Sequence, residues 1–161
     1  KLYSFKMIKK FTFFKLLILF FLLTNCGFKV VNQSELMNFR IADISISGDN
    51  KISYIIKNKL LPYSRDNGEG KVTLDIDVKK NKEIKEKNIK NEITKFEVTI
   101  NAIINYTKNT SGKFEISKKG EFIVTNQYSQ TLINEKGLVK NLSEDLAEDI
   151  INELINRQDD L

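Results

Sequence analysis

Two long segments of alternating apolar and polar residues constrain the fold of this chain more than any other feature. Every second residue from Val72 to Val78 is apolar, and the same pattern runs from Phe96 to Tyr106, with Ile103 as an additional apolar residue. Successive side chains of a strand point to opposite faces, so each segment predicts a strand with one dry and one wet face. Such strands are typical of an antiparallel sheet that is covered on one side.

A shorter strand and a helix precede this pair. The alternation in RIADISISG, with Ala42 on its apolar side, predicts a half-buried first strand. In the next segment, KISYIIKNKLLP, apolar residues recur at helical spacing. This segment predicts a helix of about three turns that is capped by Asp49 or Asn50 and ended by Pro62.

The end of the chain supplies a further strand and a second helix. The segment FEISKKGEFIVTNQYS predicts a fourth strand, in which Gly120 marks a bulge. Apolar residues from Leu138 to Ile155 form one stripe of a helix whose other side is acidic. The sequence therefore predicts an α+β fold in the order β-α-β-β-β-α, a four-stranded, mainly antiparallel sheet with two helices packed on one face.

The first residues have the order of a secretory signal peptide. A basic stretch that starts at Met7 is followed by an apolar run, Leu16 to Leu23, and then by Cys26. The apolar run is too short to span a bilayer stably, and a cysteine directly after it is the pattern of a bacterial lipoprotein. We expect residues 1–25 to be the signal peptide, residues 26–38 the lipidated cysteine and its tether, and residues 39–161 a single domain.

The composition excludes several classes of function. Cys26 is the only cysteine and there is no histidine, so an internal disulfide, a zinc site and the common nucleophile-base pairs are excluded. The five lysines before Cys26 account for the whole net charge of +5, and the rest of the chain is neutral. We therefore expect no nucleic-acid binding, no catalytic residues, no metal site and no cofactor.

A lysine-rich segment from Lys79 to Asn91 links the two longest strands. One interpretation is a mobile basic hairpin tip that meets the phosphates of an anionic lipid, and the other is a solvated loop that lysines keep soluble. Under the first interpretation, the candidate residues for contact with lipopolysaccharide phosphates are Lys79, Lys80, Lys82, Lys85, Lys87 and Lys90.

Three other residues have less specific patterns. Asp75 and Asp77 fall on one strand face and are paired carboxylates, but no nucleophile or further ligand stands near them in the sequence. They are expected on the wet face of the sheet. Tyr128 follows the fourth strand and is expected to pack at the edge of the sheet.

Both ends of the mature chain resemble a known family. The residues CGFKV after the signal peptide and NQYSQTLINEKGLVKNLSEDLAEDIINELIN from Asn126 to Asn156 are similar to LptE, the lipopolysaccharide-assembly lipoprotein of Gram-negative outer membranes. That family begins its mature chain with Cys-Gly-Phe and ends with a strand, a tyrosine, a short polar connection and a long helix. The resemblance extends over the mature chain, and its element order agrees with the order predicted above.

The resemblance implies a location and two partners. LptE sits largely inside the LptD β-barrel, where it acts as a plug and assembly partner in the translocon that delivers lipopolysaccharide to the outer leaflet. By this resemblance Cys26 bears the lipid, and the chain is anchored to the outer membrane on its periplasmic side. The partners are then an LptD-type barrel and lipopolysaccharide. The alternative is an auxiliary lipoprotein of a phospholipid or toxin transporter of the envelope.

Overall fold

A four-stranded sheet with two helices on one face forms the part of the chain that the computed structural model describes, residues 39–64 and 70–157. The predicted signal peptide, Cys26 and the tether lie outside these residues. Among the described helices, none is both long and apolar enough to cross a membrane. The elements are β1 (Phe39–Gly48), α1 (Asn50–Leu60) with a 3₁₀ turn (Leu61–Ser64), β2 (Gly70–Lys87), β3 (Ile93–Thr107), β4 (Ser111–Ile123) and α2 (Tyr128–Asn156).

The strands lie in the order β1-β2-β3-β4. β1 and β2 are parallel, and α1 forms part of the crossover that such a pair requires. β2 pairs with β3, and β3 with β4, as antiparallel hairpins. The predicted α+β class and the predicted element order are both confirmed.

The hydrophobic core lies between the sheet and the helices. Alternate residues of β2 and β3 point toward the helices and are buried, whereas the residues between them point to the opposite face. We call these two sides the helix face and the open face. The core residues of the central strands and of α2 are Val72, Leu74, Ile76, Val78, Val98, Ile100, Ala102, Ile104, Leu146, Ile150 and Leu154.

Asp49 starts α1, as one of the two predicted caps. Its Oδ1 atom accepts hydrogen bonds from the backbone N–H groups of Lys51 and Ile52, at 3.1 and 3.2 Å. These are two of the first four N–H groups of the helix, which have no acceptor within it. The sharp junction between β1 and α1 is possible because Gly48 adopts a φ of +105° and lies against the backbone of Val78.

The alternation predicted for β1 is wrong at its start. Ala42 is exposed, and Phe39 and Ile41 are buried in its place. The reason is a bulge between Ile41 and Asp43, which leaves Ala42 without a partner on β2. A bulge inserts one residue and reverses the alternation across it.

The bulge predicted at Gly120 is also absent. Gly120 pairs in register with Val98, in the middle of a regular ladder. A Cβ atom there would lie 2.7 Å from Cδ1 of Leu138 on α2. The glycine therefore leaves room for the Leu138 side chain against the sheet.

α2 begins ten residues earlier than predicted, at Tyr128, and β4 ends correspondingly early at Ile123. The hydroxyl of Thr131 accepts a hydrogen bond from the Thr125 N–H at 2.9 Å, and the Thr125 hydroxyl donates to the Gln127 carbonyl at 2.8 Å. These bonds stabilise the start of the helix, although no residue of its first three turns is buried before Val139. The predicted start was late because an apolar stripe appears only where the helix covers the core.

Candidate functional site

The lysine-rich segment is a regular β-hairpin and not a loop. β2 continues through Lys87, and residues 79–87 pair with β3 from Asn101 back to Ile93. We call residues 79–95 the basic hairpin. The sequence did not show these strands because charged residues stand on both of their faces, so no apolar period marks them.

A tight turn closes the basic hairpin, and we call residues 87–91 the tip. The side chain of Asn88 accepts hydrogen bonds from the N–H groups of Lys90 and Glu92, at 2.9 and 3.0 Å, and donates to the Glu92 carboxylate at 2.7 Å. Asn91 takes a left-handed conformation with φ of +64°, which asparagine tolerates better than most residues. The turn is therefore held by its own side chains, and it leaves Ile89 fully exposed at the tip.

Two lysines on the helix face form ion pairs within the domain. The Lys80 ammonium lies 3.5 Å from the Asp49 carboxylate. The Lys82 ammonium lies 2.6 Å from the Glu135 carboxylate of α2 and 4.4 Å from the ring centre of Phe96. Lys82 therefore ties α2 to the sheet where the hydrophobic core ends, through an ion pair and a cation–π contact.

The lysines of the open face are also paired. Lys79 lies 3.5 Å from Asp77, and Lys85 lies 2.9 Å from Glu97 and 3.7 Å from Glu121. The hydrogen bond between Lys85 and Glu97 raises the pKa of the lysine and lowers the pKa of the glutamate. The charge of Lys79 is thus compensated within β2, and that of Lys85 by the neighbouring strands β3 and β4.

Lys87 and Lys90 differ from the other four candidate lysines. Lys87 donates to the neutral amide oxygen of Asn91 at 3.1 Å, and within residues 39–64 and 70–157 neither lysine lies against a carboxylate. Both are exposed, and both stand within two residues of Ile89. The uncompensated positive charge of the candidate set is therefore confined to the tip.

The tip lies far from the start of the domain. β1 is parallel to β2 and begins with Phe39 opposite Gly70, while the tip follows the other end of β2. The 18 residues of β2 extend over roughly 55 Å, at the usual rise of a strand. The described domain therefore begins at the end of the sheet opposite the tip.

The remaining candidate residues are separate from the tip. Asp75 and Asp77 lie on the open face, as predicted, and no group of residues suited to hold a metal ion is found in the described part of the chain. The prediction that Tyr128 packs at the sheet edge is wrong, because its side chain is 76% exposed. It is the first residue of α2, which starts beyond the core.

A cleft between the helices was not predicted. Its volume is about 350 Å³, and its lining includes Lys59, Tyr63, Glu144 and Glu148. Burial and the nearby Glu148 carboxylate raise the pKa of Tyr63. The cleft results from the packing of α1 against α2, so local sequence patterns could not reveal it.

No family model and no curated protein sequence matches the chain. The structure is nevertheless similar to several solved lipoproteins. Rare lipoprotein B of Shewanella oneidensis, which is LptE, superposes with a TM-score of 0.58 at 10% identity, over 73% of this chain and 97% of that one. A minor lipoprotein of Acinetobacter baumannii gives a TM-score of 0.54 at 12% identity, over 72% and 90%.

Lipoprotein B of Nitrosomonas europaea gives a TM-score of 0.50 at 13% identity, over 78% of this chain and 88% of that one. At these low sequence identities, the similarity shows a shared fold and nothing more. The chain has the fold of rare lipoprotein B, and the likeness extends over nearly the whole of that protein. The fold implied by the sequence resemblance is confirmed.

Proposed function

From the fold that the chain shares with these lipoproteins, we propose that it is an outer-membrane lipoprotein of the lipopolysaccharide translocon. In this role it is anchored through Cys26 on the periplasmic side and plugs an LptD-type β-barrel, which it also helps to assemble. The observation that carries the proposal is the similarity to rare lipoprotein B over 97% of that chain. The role needs no catalysis and no cofactor.

The open face of the sheet supports a position inside a barrel. On the central strand β3 it presents Thr99, Asn101 and Asn105, between the residues that face the core. Ile103 is the apolar exception. The lumen of an outer-membrane barrel is polar and lined with water, so a plug contacts it through hydrogen bonds more than through apolar residues.

The basic hairpin supports a contact with lipopolysaccharide. Lysine ammonium groups bind phosphates as point charges, and Lys87 and Lys90 are the candidate lysines that no carboxylate compensates in the described structure. We assign the phosphate contact to these two residues first. Lys79, Lys80, Lys82 and Lys85 would have to leave an ion pair before they could contribute.

The test is an affinity pull-down of the lipidated protein from detergent-solubilised outer membrane, with co-purifying proteins identified by mass. We expect a large β-barrel in roughly equal amount, since a plug forms an obligate complex with its barrel. A second lipoprotein from the same membrane, tagged in the same way, is the control. Recovery of a transporter component in place of the barrel would contradict the proposal and favour an auxiliary role in transport.

A further inference from the structure

One end of the domain carries most of its exposed apolar side chains. Of the seven large hydrophobic residues exposed in the described structure, Tyr54 and Leu61 belong to α1 and its 3₁₀ turn. The other five lie at or near the tip of the basic hairpin and the start of α2: Ile84, Ile89, Ile123, Tyr128 and Ile133.

Hydrogen bonds and strand pairing bring these elements together. Val124 donates to the Thr94 carbonyl at 2.9 Å, which joins the end of β4 to the base of the hairpin turn. The side chain of Asn134 donates to the Ile123 carbonyl at 3.2 Å, which places α2 beside it. Ile84 pairs with Phe96, whose ring stacks on Phe122. We call this region, residues 84–96 with 122–134, the apolar end.

The charges around the apolar end indicate what it meets. Ile89 lies between Lys87 and Lys90, whose ammonium groups lie against no carboxylate in the described residues. An apolar residue flanked by lysines matches a layer that is anionic at its surface and apolar below it. Each lysine near an anionic lipid surface adds to the binding through its attraction to the headgroups.

The rigidity of the tip supports the same occupant. The hydrogen bonds of Asn88 hold the turn that exposes Ile89, so little conformational entropy is lost when the residue enters another phase. A solvated loop would require neither this fixed turn nor an apolar residue at its most exposed point. The remaining exposed apolar side chains are set back from the turn, along the strands and at the start of α2.

We propose that the apolar end docks onto a lipid bilayer with anionic headgroups, with Ile89 inserted below the headgroups and with Lys87 and Lys90 against the phosphates. This contact is separate from the lipid expected on Cys26, because the tip lies at the end of β2 opposite Phe39, where the described domain begins. It does not rest on the barrel partner of the proposed function. The pull-down can therefore fail while this contact holds, and the reverse is also true.

The chain has no tryptophan, so a single substitution provides a fluorescent reporter. The experiment uses the full lipidated protein with Ile89→Trp, reconstituted without other proteins into phosphatidylcholine vesicles with or without phosphatidylglycerol. The matched control is Tyr54→Trp, at the exposed tyrosine of α1. The lipid anchor is the same in all samples, so differences in emission report only on the substituted position.

In vesicles that contain phosphatidylglycerol we expect the emission of Ile89→Trp to shift to shorter wavelength and to be quenched by brominated acyl chains. Tyr54→Trp should show neither effect. Adding Lys87→Glu and Lys90→Glu to the reporter should abolish the shift, whereas Lys71→Glu, at the far end of β2, should leave it unchanged. High salt should reduce the shift, since exposed charges are screened.

Three results would overturn the proposal. The first is an Ile89→Trp emission that anionic vesicles do not change. The second is an equal shift in neutral vesicles or in the Tyr54→Trp control. The third is a shift that appears only after a purified barrel protein is added, because the apolar end would then be a protein-binding surface.

Discussion

Asp49 combines three contacts in one side chain. It caps α1 through the N–H groups of Lys51 and Ile52 and lies 3.5 Å from the ammonium of Lys80 on β2. Burial alone would raise its pKa, but the N–H group of Ile52 and the charge of Lys80 outweigh burial, so the pKa is lowered from 3.8. A short loop residue thus links the first helix to the neighbouring strand.

We expect Asp49→Ala to lower the free energy of unfolding by about 1 kcal/mol, the usual loss for an N-cap. The stabilisation from the ionised form is complete above the ordinary pKa of 3.8 and is lost as the pH falls through the lowered pKa of Asp49. Urea unfolding at pH 7 and near pH 3 measures both effects.

Asp49→Asn serves as the matched variant, since asparagine caps a helix about as well as aspartate. It should retain most of the stability at pH 7 and lose the part of the pH dependence that Asp49 causes. Asp75→Ala, on the exposed open face, should change the free energy of unfolding by less than about 0.5 kcal/mol. If Asp75→Ala proved as destabilising as Asp49→Ala, the cap would not be the cause.

At the scale of elements, β2 and α2 both extend beyond the hydrophobic core. β2 extends past its last buried residue, Val78, to Lys87, and α2 begins eleven residues before its first buried residue, Val139. Their outer parts are held by polar contacts, among them the ion pair of Lys82 with Glu135 at 2.6 Å. The spacing of apolar residues in the sequence reports which side chains are buried and not which elements pair through polar contacts. These outer parts therefore gave no signal in the sequence.

Of two glycines in the domain, Gly48 has a backbone conformation that requires glycine, whereas the position of Gly137 does not require it. Gly137 lies inside α2 with nothing within 4 Å of an added Cβ atom, so Gly137→Ala should raise the free energy of unfolding by about 1 kcal/mol through helix propensity. Gly48 has a φ of +105°, and an added Cβ atom would overlap the Val78 carbonyl. Gly48→Ala should therefore lower the free energy of unfolding by about 2 kcal/mol or more. Thermal or urea unfolding of both variants measures the contrast, and equal effects would contradict it.

At the scale of the whole molecule, the two ends of the sheet have different properties. The domain begins at Phe39 at one end, and the basic hairpin closes at the other. Paired charges cover most of the hairpin, and the uncompensated lysines lie at its tip. A ligand with phosphates is therefore expected to meet the tip and not the length of the hairpin.

Reversing the two tip charges, Lys87→Glu with Lys90→Glu, should weaken lipopolysaccharide binding at least about tenfold, given about 1 kcal/mol for each lysine. Lys71→Glu with Lys113→Glu makes the same change in net charge at the opposite end of the sheet and should leave binding nearly unchanged. The affinity of each purified double variant is measured with labelled lipopolysaccharide, and circular dichroism confirms that the fold is kept. Equal losses in both double variants would mean that only net charge matters.

The sequence by itself determined the fold class and the order of the elements. The alternation from Val72 to Val78 and from Phe96 to Tyr106 depends on which side chains are buried, and burial is recorded directly in the choice of apolar residues. The capping role of Asp49 was predictable for a related reason, because a cap is a contact between neighbours in the chain.

Only the tertiary structure decided which lysines remain uncompensated. The partners of Lys80, Lys82 and Lys85 are Asp49, Glu135 and Glu97, which lie 12 to 53 residues away in the chain. Strand register and helix packing bring these charges together, and no local pattern encodes those distances. For the same reason the exposed Ile89 could not be recognised, since a residue at a tip differs from one in a core only in what the rest of the chain places around it.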